Sequence, residues 1–252
     1  MLDLSLLNRL RAMKLRSFVV LPFLSLSVAR VLAQTAVQAD GRADAAHALA
    51  AQLYGKVDGD IYTSATGLFK VKIPVLPQLG GAISDTPNIV TFDDDYSVHT
   101  SLGAFPLSRE VKWEYEARGP KDFLVYFFTS FVMPDFRTRF PGAHTEESAV
   151  FLPKFQDGAG ALLIFALLPG GSFFEQRVTV STSMPPAVAK RGNLCFVKDG
   201  CFFVISTELA ERVIERSTYK KTVEEENAIL RERLLNLVEK MQFIPPPPAG
   251  KS

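Results

Sequence analysis

Alternating apolar and polar positions predict that much of the chain after residue 60 forms β-strands. Turn-forming pairs that contain glycine, at 157–158, 170–171 and 199–200, are typical of antiparallel hairpins. The predicted strands are 68–74, 89–92, 96–102, 111–117, 149–158, 160–171, 174–182, 193–197 and 201–206. Residues 77–88 are predicted as a loop, and the aspartates at 93–95 as the turn of a hairpin.

Helical spacing replaces the alternation in the middle of the chain. Four apolar residues there follow an i, i+3, i+4, i+7 pattern, namely Leu124, Phe127, Phe128 and Phe131. This pattern predicts a helix over about 121–133, with Pro120 in its first turn and Pro134 at its end. A fully buried strand is the alternative interpretation of the same run.

The C-terminal region predicts two further helices. Thr222 and Glu225 have the spacing of a capping box, and helix-forming residues continue from there to Met241. A shorter helix is predicted before it, at about 208–216. Strands interrupted by helices favour an α+β fold, in which helices cover an antiparallel sheet as an α/β/α sandwich. We expect a single domain over residues 60–243.

The N-terminal segment has the pattern of a signal peptide. Basic residues at 13–16 precede an apolar run at 17–29, and the small residues at 31–33 predict cleavage before Gln34. An uncleaved amphipathic anchor is the alternative, and the apolar run is too short for a membrane span of about 20 residues. We expect an Ala-rich leader or short helix at 34–59 and an extended, disordered Pro-rich tail at 244–252.

Charge makes a nucleic-acid partner a poor interpretation. The whole chain carries 28 basic and 27 acidic residues. Residues 1–33 hold five basic residues and one acidic residue, so the chain without them has a net charge of −3. A weakly acidic exported protein lacks the basic surface that binds nucleic acids.

Two stretches resemble the PsbP-like domains of secreted bacterial proteins, which form an α/β/α sandwich. The sequence YTSATGLFKVKIP at 62–74 resembles the Tyr-led and Pro-terminated strands of that family, and the hairpin at 193–206 followed by the last helix fits the same order. The resemblance covers about residues 60–243, and it assigns no functional residue. It implies an accessory or binding protein rather than an enzyme.

No catalytic, cofactor or metal site is predicted from motifs. The histidines His47, His99 and His144 lack a ligand-like spacing, and Glu146 and Glu147 beside His144 are interpreted as a solvated loop. The aspartates at 93–95 lack the spacing of a calcium loop and are interpreted as a solvated turn. No nucleophile elbow or phosphate-binding loop is present in the sequence.

Aromatic residues and the last helix offer two binding hypotheses. The chain has 20 phenylalanines, which we interpret first as core and second as the lining of an apolar ligand pocket. A heptad seam in the last helix predicts either a weak dimer or packing of the helix on its own sheet. The seam residues are Val223, Asn227, Leu230, Leu234, Leu237 and Met241.

The two cysteines, Cys195 and Cys201, flank the turn in CFVKDGC. A two-residue turn at 199–200 places them on opposite faces of a hairpin, where no disulfide can form, whereas a three-residue turn places them on one face. Their spacing matches no redox or zinc motif. We expect two free and mostly buried thiols, although an oxidising compartment permits a disulfide.

Together these patterns favour an exported, non-catalytic domain that binds a protein partner or a small apolar ligand. The alternative is an exported hydrolase whose active-site residues lie far apart in the sequence, which requires a cleft where titratable side chains converge.

Overall fold

The computed structural model describes residues 53–156, 159–174 and 187–246, and in these ranges twelve strands form two antiparallel sheets. The strands are β1 Lys56–Asp58, β2 Ile61–Thr63, β3 Phe69–Lys72, β4 Ala82–Asp85, β5 Ile89–Asp93, β6 His99–Pro106, β7 His144–Thr145, β8 Val150–Leu152, β9 Ala161–Pro169, β10 Val188–Lys198, β11 Cys201–Glu208 and β12 Met241–Phe243. The larger, central sheet has the order β4-β5-β6-β11-β10-β9-β7, and β8 also pairs with β9. The smaller sheet has the order β1-β2-β3-β12.

Helices and the smaller sheet cover the two faces of the central sheet. The helices are α1 Arg109–Arg118, α2 Pro120–Phe127, a π-helical turn Phe128–Val132, α3 Met133–Arg139, α4 Ala210–Ile214 and α5 Val223–Glu239. On one face, Phe123 and Phe128 pack with Cys195 and Phe202 of the sheet. On the other face, α5 and the smaller sheet share a core with residues such as Phe196. The predicted α+β sandwich is confirmed.

The hairpin of β10 and β11 confirms the two-residue turn. Lys198 pairs with Cys201, and Cys195 pairs with Val204. Asp199 and Gly200 have φ angles of 51° and 72°, as the turn between two twisted strands requires. The two cysteines therefore lie in different cores, one on each face of the sheet, and both are free and buried.

We expect both thiols to resist modification in the native protein. Burial raises the pKa of each thiol, so little thiolate is present to react at neutral pH. A thiol-specific disulfide reagent should label no cysteine before unfolding and two after it. The intact mass should match two reduced thiols, and a loss of two hydrogens from the native protein would contradict this prediction.

The segment predicted as a strand at 111–117 is instead helix α1, so that prediction is wrong. Ser108 caps the helix, because its side chain accepts a hydrogen bond from the backbone N–H of Val111. An ion pair between Glu114 and Arg118, one helical turn apart, adds local support. Alternation misled the interpretation because Trp113, the middle apolar residue, is 65% exposed, whereas Val111 and Tyr115 on either side are half-buried.

Three predicted boundaries also differ from the structure. The middle helix does not end at Pro134: the π-helical turn precedes this proline, which lies in the first turn of α3, where its missing N–H costs least. The predicted loop at 77–88 contains strand β4, which pairs only with β5. The last helix ends before Met241, because Met241–Phe243 pairs with β3 as a strand.

The apolar stripe of α5 packs on the chain's own sheet. Leu230 and Leu234 are fully buried, and they lie over Gly192 of β10. A Cβ atom at Gly192 would lie 3.0 Å from Leu230 Cβ and 3.0 Å from Leu234 Cδ1, so only glycine lets the helix come this close. The central residues of the predicted seam are therefore not free to pair two chains.

Several predictions lie outside the described residues. These are the signal peptide, most of the Ala-rich segment with His47, the strand at 174–182 beyond its first residue, and the end of the Pro-rich tail. Within the described ranges, no helix is both long and apolar enough to cross a membrane.

Candidate functional site

A polar strip crosses four neighbouring strands of the central sheet. Its first row is Asp93 of β5, His99 of β6, Glu208 of β11 and Arg191 of β10; its second row is Thr91, Ser101, Ser206 and Asn193 of the same strands. Strand register places the members of each row side by side, so eight residues from distant parts of the chain form one continuous surface. We call these eight residues the polar strip.

The polar strip lies on the face of the sheet that α1–α3 cover. Side chains alternate along a strand, so Arg191 and Asn193 share a face with Cys195, which packs in the core beneath α2. Burial lowers the pKa of Arg191, Glu208 opposes this shift, and the charge of Arg139 in α3 adds to it. Arg191, the positively charged residue of the strip, therefore lies close to Arg139 at the end of α3.

Glu208 is the centre of the first row. Its side chain is fully buried, and it accepts hydrogen bonds from Ser172 Oγ at 2.6 Å, the backbone N–H of Phe173 at 3.1 Å and Arg191 Nη2 at 3.3 Å. Two of the donors are adjacent residues of the segment after β9, and the third is in β10. Charge-assisted bonds of this kind fix the position of a buried carboxylate.

His99 is oriented by Arg191 rather than by Glu208. Arg191 Nη2 lies 3.1 Å from His99 Nδ1, and because a guanidinium can only donate, Nδ1 must be the acceptor. Glu208 Oε2 lies farther away, 3.7 Å from the same nitrogen. The ring of Phe173 stacks on the imidazole, with the centroids 4.3 Å apart. This arrangement lacks the carboxylate-to-Nδ1–H bond that orients a catalytic histidine.

Three buried polar atoms of the polar strip have no hydrogen-bond partner among the described residues. They are Arg191 Nε, Asn193 Oδ1 and Ser206 Oγ. Asn193 and Ser206 face each other across β10 and β11, and Arg191 is two residues from Asn193 on the same face. An unpaired buried polar atom costs about 1–3 kcal/mol, so these three atoms are an energetically unfavourable feature of the polar strip.

The orientation of the Asn193 amide follows from its surroundings. Its Nδ2 atom donates to the backbone carbonyls of Ile164 and Arg191, each at 3.3 Å. Only the nitrogen can make these bonds, because a carbonyl oxygen does not donate. Oδ1 is therefore the atom of this amide that has no hydrogen-bond partner among the described residues.

A second charged cluster lies on the opposite face of β10. Lys190 is fully buried, and its Nζ atom lies 2.8 Å from Glu146 Oε1 and 2.9 Å from Glu226 Oε2. Arg212 Nη1 donates to both oxygens of Glu226, at 2.8 Å and 2.9 Å. Two positive and two negative groups balance each other, and they join α4, α5 and the segment after β7 to the sheet. We interpret this Lys190 cluster as structural.

The residues considered from the sequence have different positions from those expected. Glu146 is not in a solvated loop but pairs with the buried Lys190, whereas His144 and Glu147 are exposed. Asp94 is not solvated either: its Oδ1 atom accepts from three backbone N–H groups of the hairpin turn, those of residues 96, 97 and 98. Of the two histidines among the described residues, His99 lies in the polar strip and His144 does not.

The polar strip has no sequence motif, and motif searches miss it for that reason. A usable signal was present in two strands: Arg191 and Asn193 alternate within β10, as Ser206 and Glu208 do within β11. Polar residues on one face of an otherwise apolar strand pair are unusual unless they are functional or paired.

Comparisons with known proteins give a likeness in fold only. No family model matches, and no curated protein matches. Among solved structures, cyanobacterial PsbP (CyanoP) from Synechocystis is 11% identical, with a TM-score of 0.43 over 75% of this chain and 98% of that one. The Ran-binding protein Mog1p from Saccharomyces cerevisiae is 8% identical, with a TM-score of 0.40 over 71% of this chain and 92% of that one. A mutant of Mog1 has a TM-score of 0.42 at 8% identity, over 75% of this chain and 97% of that one. The weak PsbP-like resemblance predicted from residues 62–74 and 193–206 is confirmed as a resemblance, and at this level it carries no argument about function.

Proposed function

We propose that the chain is an exported, non-catalytic binding domain that holds a small polar ligand at the polar strip. The observation that carries the proposal is the group of three unpartnered buried atoms on two adjacent strands, Arg191 Nε, Asn193 Oδ1 and Ser206 Oγ. A bound molecule that pairs with all three removes the cost of leaving them unpaired. Thr91 and Ser101, in the same row, are only half-buried, so the polar strip reaches the protein surface at these two residues.

A polar ligand replaces the small apolar ligand expected from the phenylalanine content. Phe123 and Phe128 are fully buried among core residues, which supports the interpretation of these side chains as packing. In contrast, three unpaired buried polar atoms lie in the polar strip, where a hydrocarbon would satisfy none of them.

The bonding of the strip argues against the hydrolase alternative. Ser172 Oγ donates to Glu208 and accepts from the backbone N–H of Phe174, so its hydroxyl is used twice in holding the turn. His99 Nδ1 accepts from Arg191. These bonds already occupy the Ser172 hydroxyl and the Nδ1 atom of His99, which a nucleophile and its base would need to keep available.

Export is part of the proposal and rests on the N-terminal pattern of basic, apolar and small residues. The protein isolated from the cell envelope should begin at Gln34, as read by N-terminal sequencing or intact mass. Retention of residues 1–33 in protein tightly bound to membranes would instead favour the uncleaved anchor.

Ligand binding is tested by native mass spectrometry and by thermal unfolding against a library of small polar metabolites. We expect at least one compound to raise the melting temperature of the wild-type chain and to lose its effect in Ser206→Ala and in Asn193→Leu. Thr100→Val is the matched control, because Thr100 bonds Thr207 on the opposite face of the same strands. The proposal fails if no compound acts, or if every effect survives both strip substitutions. It also fails if the chain binds only another protein and does so equally well with both substitutions.

A further inference from the structure

We propose that the outer edge of β4 and the apolar loops beside it form a docking surface for an extended segment of another protein, one that carries basic and apolar side chains. The inference goes beyond the proposed function, because it concerns a second surface and does not depend on a ligand at the polar strip. It follows from the backbone of β4, the exposed side chains at one end of this strand and the charge of this part of the chain.

β4 is an edge strand of the central sheet. Among the described residues it pairs only with β5, and at the turn between the two strands Thr86 N–H donates to Ile89 O at 2.8 Å. Hydrogen-bonded and non-hydrogen-bonded pairs alternate along an antiparallel ladder, so the N–H and C=O groups of Ile83 and Asp85 point away from β5. These are the groups that a strand of a second chain would bind.

Two loops with exposed apolar side chains lie at the N-terminal end of β4. The first contains a 3-10 turn at Pro77–Leu79, and the second follows β5. Leu79 O accepts a hydrogen bond from Asp95 N–H at 3.1 Å, which ties the two loops together. Leu76 and Leu79 of the first loop and Tyr96 of the second are 58%, 40% and 60% exposed. We call these three residues the apolar tip.

The apolar tip is held in place by the chain itself. Leu76 O accepts from the N–H groups of Leu79 and Gly81, at 2.9 Å and 3.0 Å, and these bonds close the first loop. Asp94 holds the second loop through its three bonds to backbone N–H groups. Exposed apolar side chains on a rigid scaffold favour protein binding, because little conformational entropy is lost when a partner covers them.

Charge defines the chemistry of the partner. Residues 73–108 contain no lysine and no arginine, although the whole chain has 28 such residues. The same range contains four aspartates, at positions 85, 93, 94 and 95. Asp95, which lies beside Tyr96 in the second loop, is exposed. A partner with lysine or arginine beside its apolar residues complements this charge, whereas an acidic partner is repelled.

The same charge argues against two other occupants. A second copy of this chain, paired through β4, would bring the aspartates of both copies together, with no lysine or arginine from residues 73–108 to compensate them. An anionic membrane surface would meet the same aspartates. A basic and apolar strand of another protein satisfies the edge of β4, the apolar tip and the charge together.

An NMR titration of the full, isotope-labelled chain tests the docking surface with four peptide probes. The first is a six-residue peptide in which lysine alternates with leucine or valine. The second has glutamate in place of each lysine, the third has serine in place of each apolar residue, and the fourth is the first peptide with every backbone nitrogen methylated. We expect the amide signals of Ile83 and Asp85 to shift saturably with the first peptide. The other three should bind at least tenfold more weakly.

Two variants with matched controls connect binding to this surface. Leu79→Ser removes part of the apolar tip, and Val150→Ser is its control, because Val150 is 42% exposed on β8 at the other side of the central sheet. Asp95→Asn removes an exposed charge, and Asp135→Asn in α3 is its control. We expect Leu79→Ser and Asp95→Asn each to weaken binding of the lysine peptide at least fivefold, and the controls to leave it unchanged. Circular dichroism verifies that each variant is folded.

The inference is overturned if the glutamate peptide or the methylated peptide binds as tightly as the lysine peptide, or if no peptide shifts the β4 signals. It is also overturned if Leu79→Ser and Asp95→Asn bind like the wild-type chain. Dimerisation that Leu79→Ser abolishes would instead assign the surface to a second copy. Binding to anionic vesicles that Leu79→Ser abolishes would assign it to a membrane. Sedimentation measures both.

Discussion

Replacing Lys190 by methionine is expected to lower the free energy of unfolding by about 3–5 kcal/mol, because it removes one member of a buried and balanced charge cluster. Arg212 would still pair with Glu226, but Glu146 would lose its bond to Lys190, and one negative charge would be left without compensation. Denaturation by urea, followed by circular dichroism, measures the change.

A second substitution identifies the cause of the loss. Removing one of the two negative charges that the lysine balanced should relieve the imbalance, so the double variant Lys190→Met, Glu226→Gln should recover part of the lost stability. Lys72→Met is the control: its ion pair with Asp60 is exposed, and such pairs contribute roughly 0.2–1 kcal/mol. Equal losses from Lys190→Met and Lys72→Met would contradict the interpretation.

Replacing Glu208 by glutamine is also expected to lower the free energy of unfolding by about 3–5 kcal/mol, because it leaves a buried positive charge without compensation. Arg191 would remain in the sheet without its counter-ion, and Ser172 and the N–H of Phe173 would lose charge-assisted bonds. Urea denaturation measures the loss. Thermal unfolding should also show earlier loss of the turn at 171–174, which Glu208 ties to the sheet.

A double-mutant cycle measures the interaction between Glu208 and Arg191 separately from their other contacts. Glu208→Gln combined with Arg191→Met removes both charges, and we expect it to be more stable than Glu208→Gln alone. Glu114→Gln is the matched control, because Glu114 also bonds an arginine, Arg118, but on the partly exposed surface of α1. Its expected cost is roughly 0.2–1 kcal/mol. Additive effects of the two strip substitutions would show that Arg191 and Glu208 are not coupled.

The half of the polar strip on β10 and β11 can be predicted from the sequence, because these two strands are neighbours in the chain and form a hairpin. The turn at Asp199-Gly200 sets the register of β10 and β11. That register alone pairs Arg191 with Glu208 and Asn193 with Ser206. The capping box at Thr222 and the first-turn Pro120 were identified for the same reason, since each depends on residues a few positions apart.

Long-range contacts explain what was missed. His99 joins the strip because β6 pairs with β11, more than 100 residues later, and no local pattern specifies that neighbour. Lys190 finds its partners in a segment 44 residues before it and in a helix 36 residues after it. Alternation at 111–117 indicated a strand, but no neighbouring strand pairs with it, and an exposed Trp113 is compatible with a helix.

The difference between what the sequence determines and what only the tertiary structure determines therefore has a physical cause. Turn geometry, helix caps and the opposite faces of a hairpin depend on backbone angles and short separations, and the amino-acid sequence specifies them directly. The charge partners, the neighbour of each strand outside a hairpin and the unpaired atoms of the polar strip depend on which distant surfaces meet when apolar area is buried. CFVKDGC illustrates both: its turn is local, whereas the two cores that bury its cysteines exist only in the folded chain.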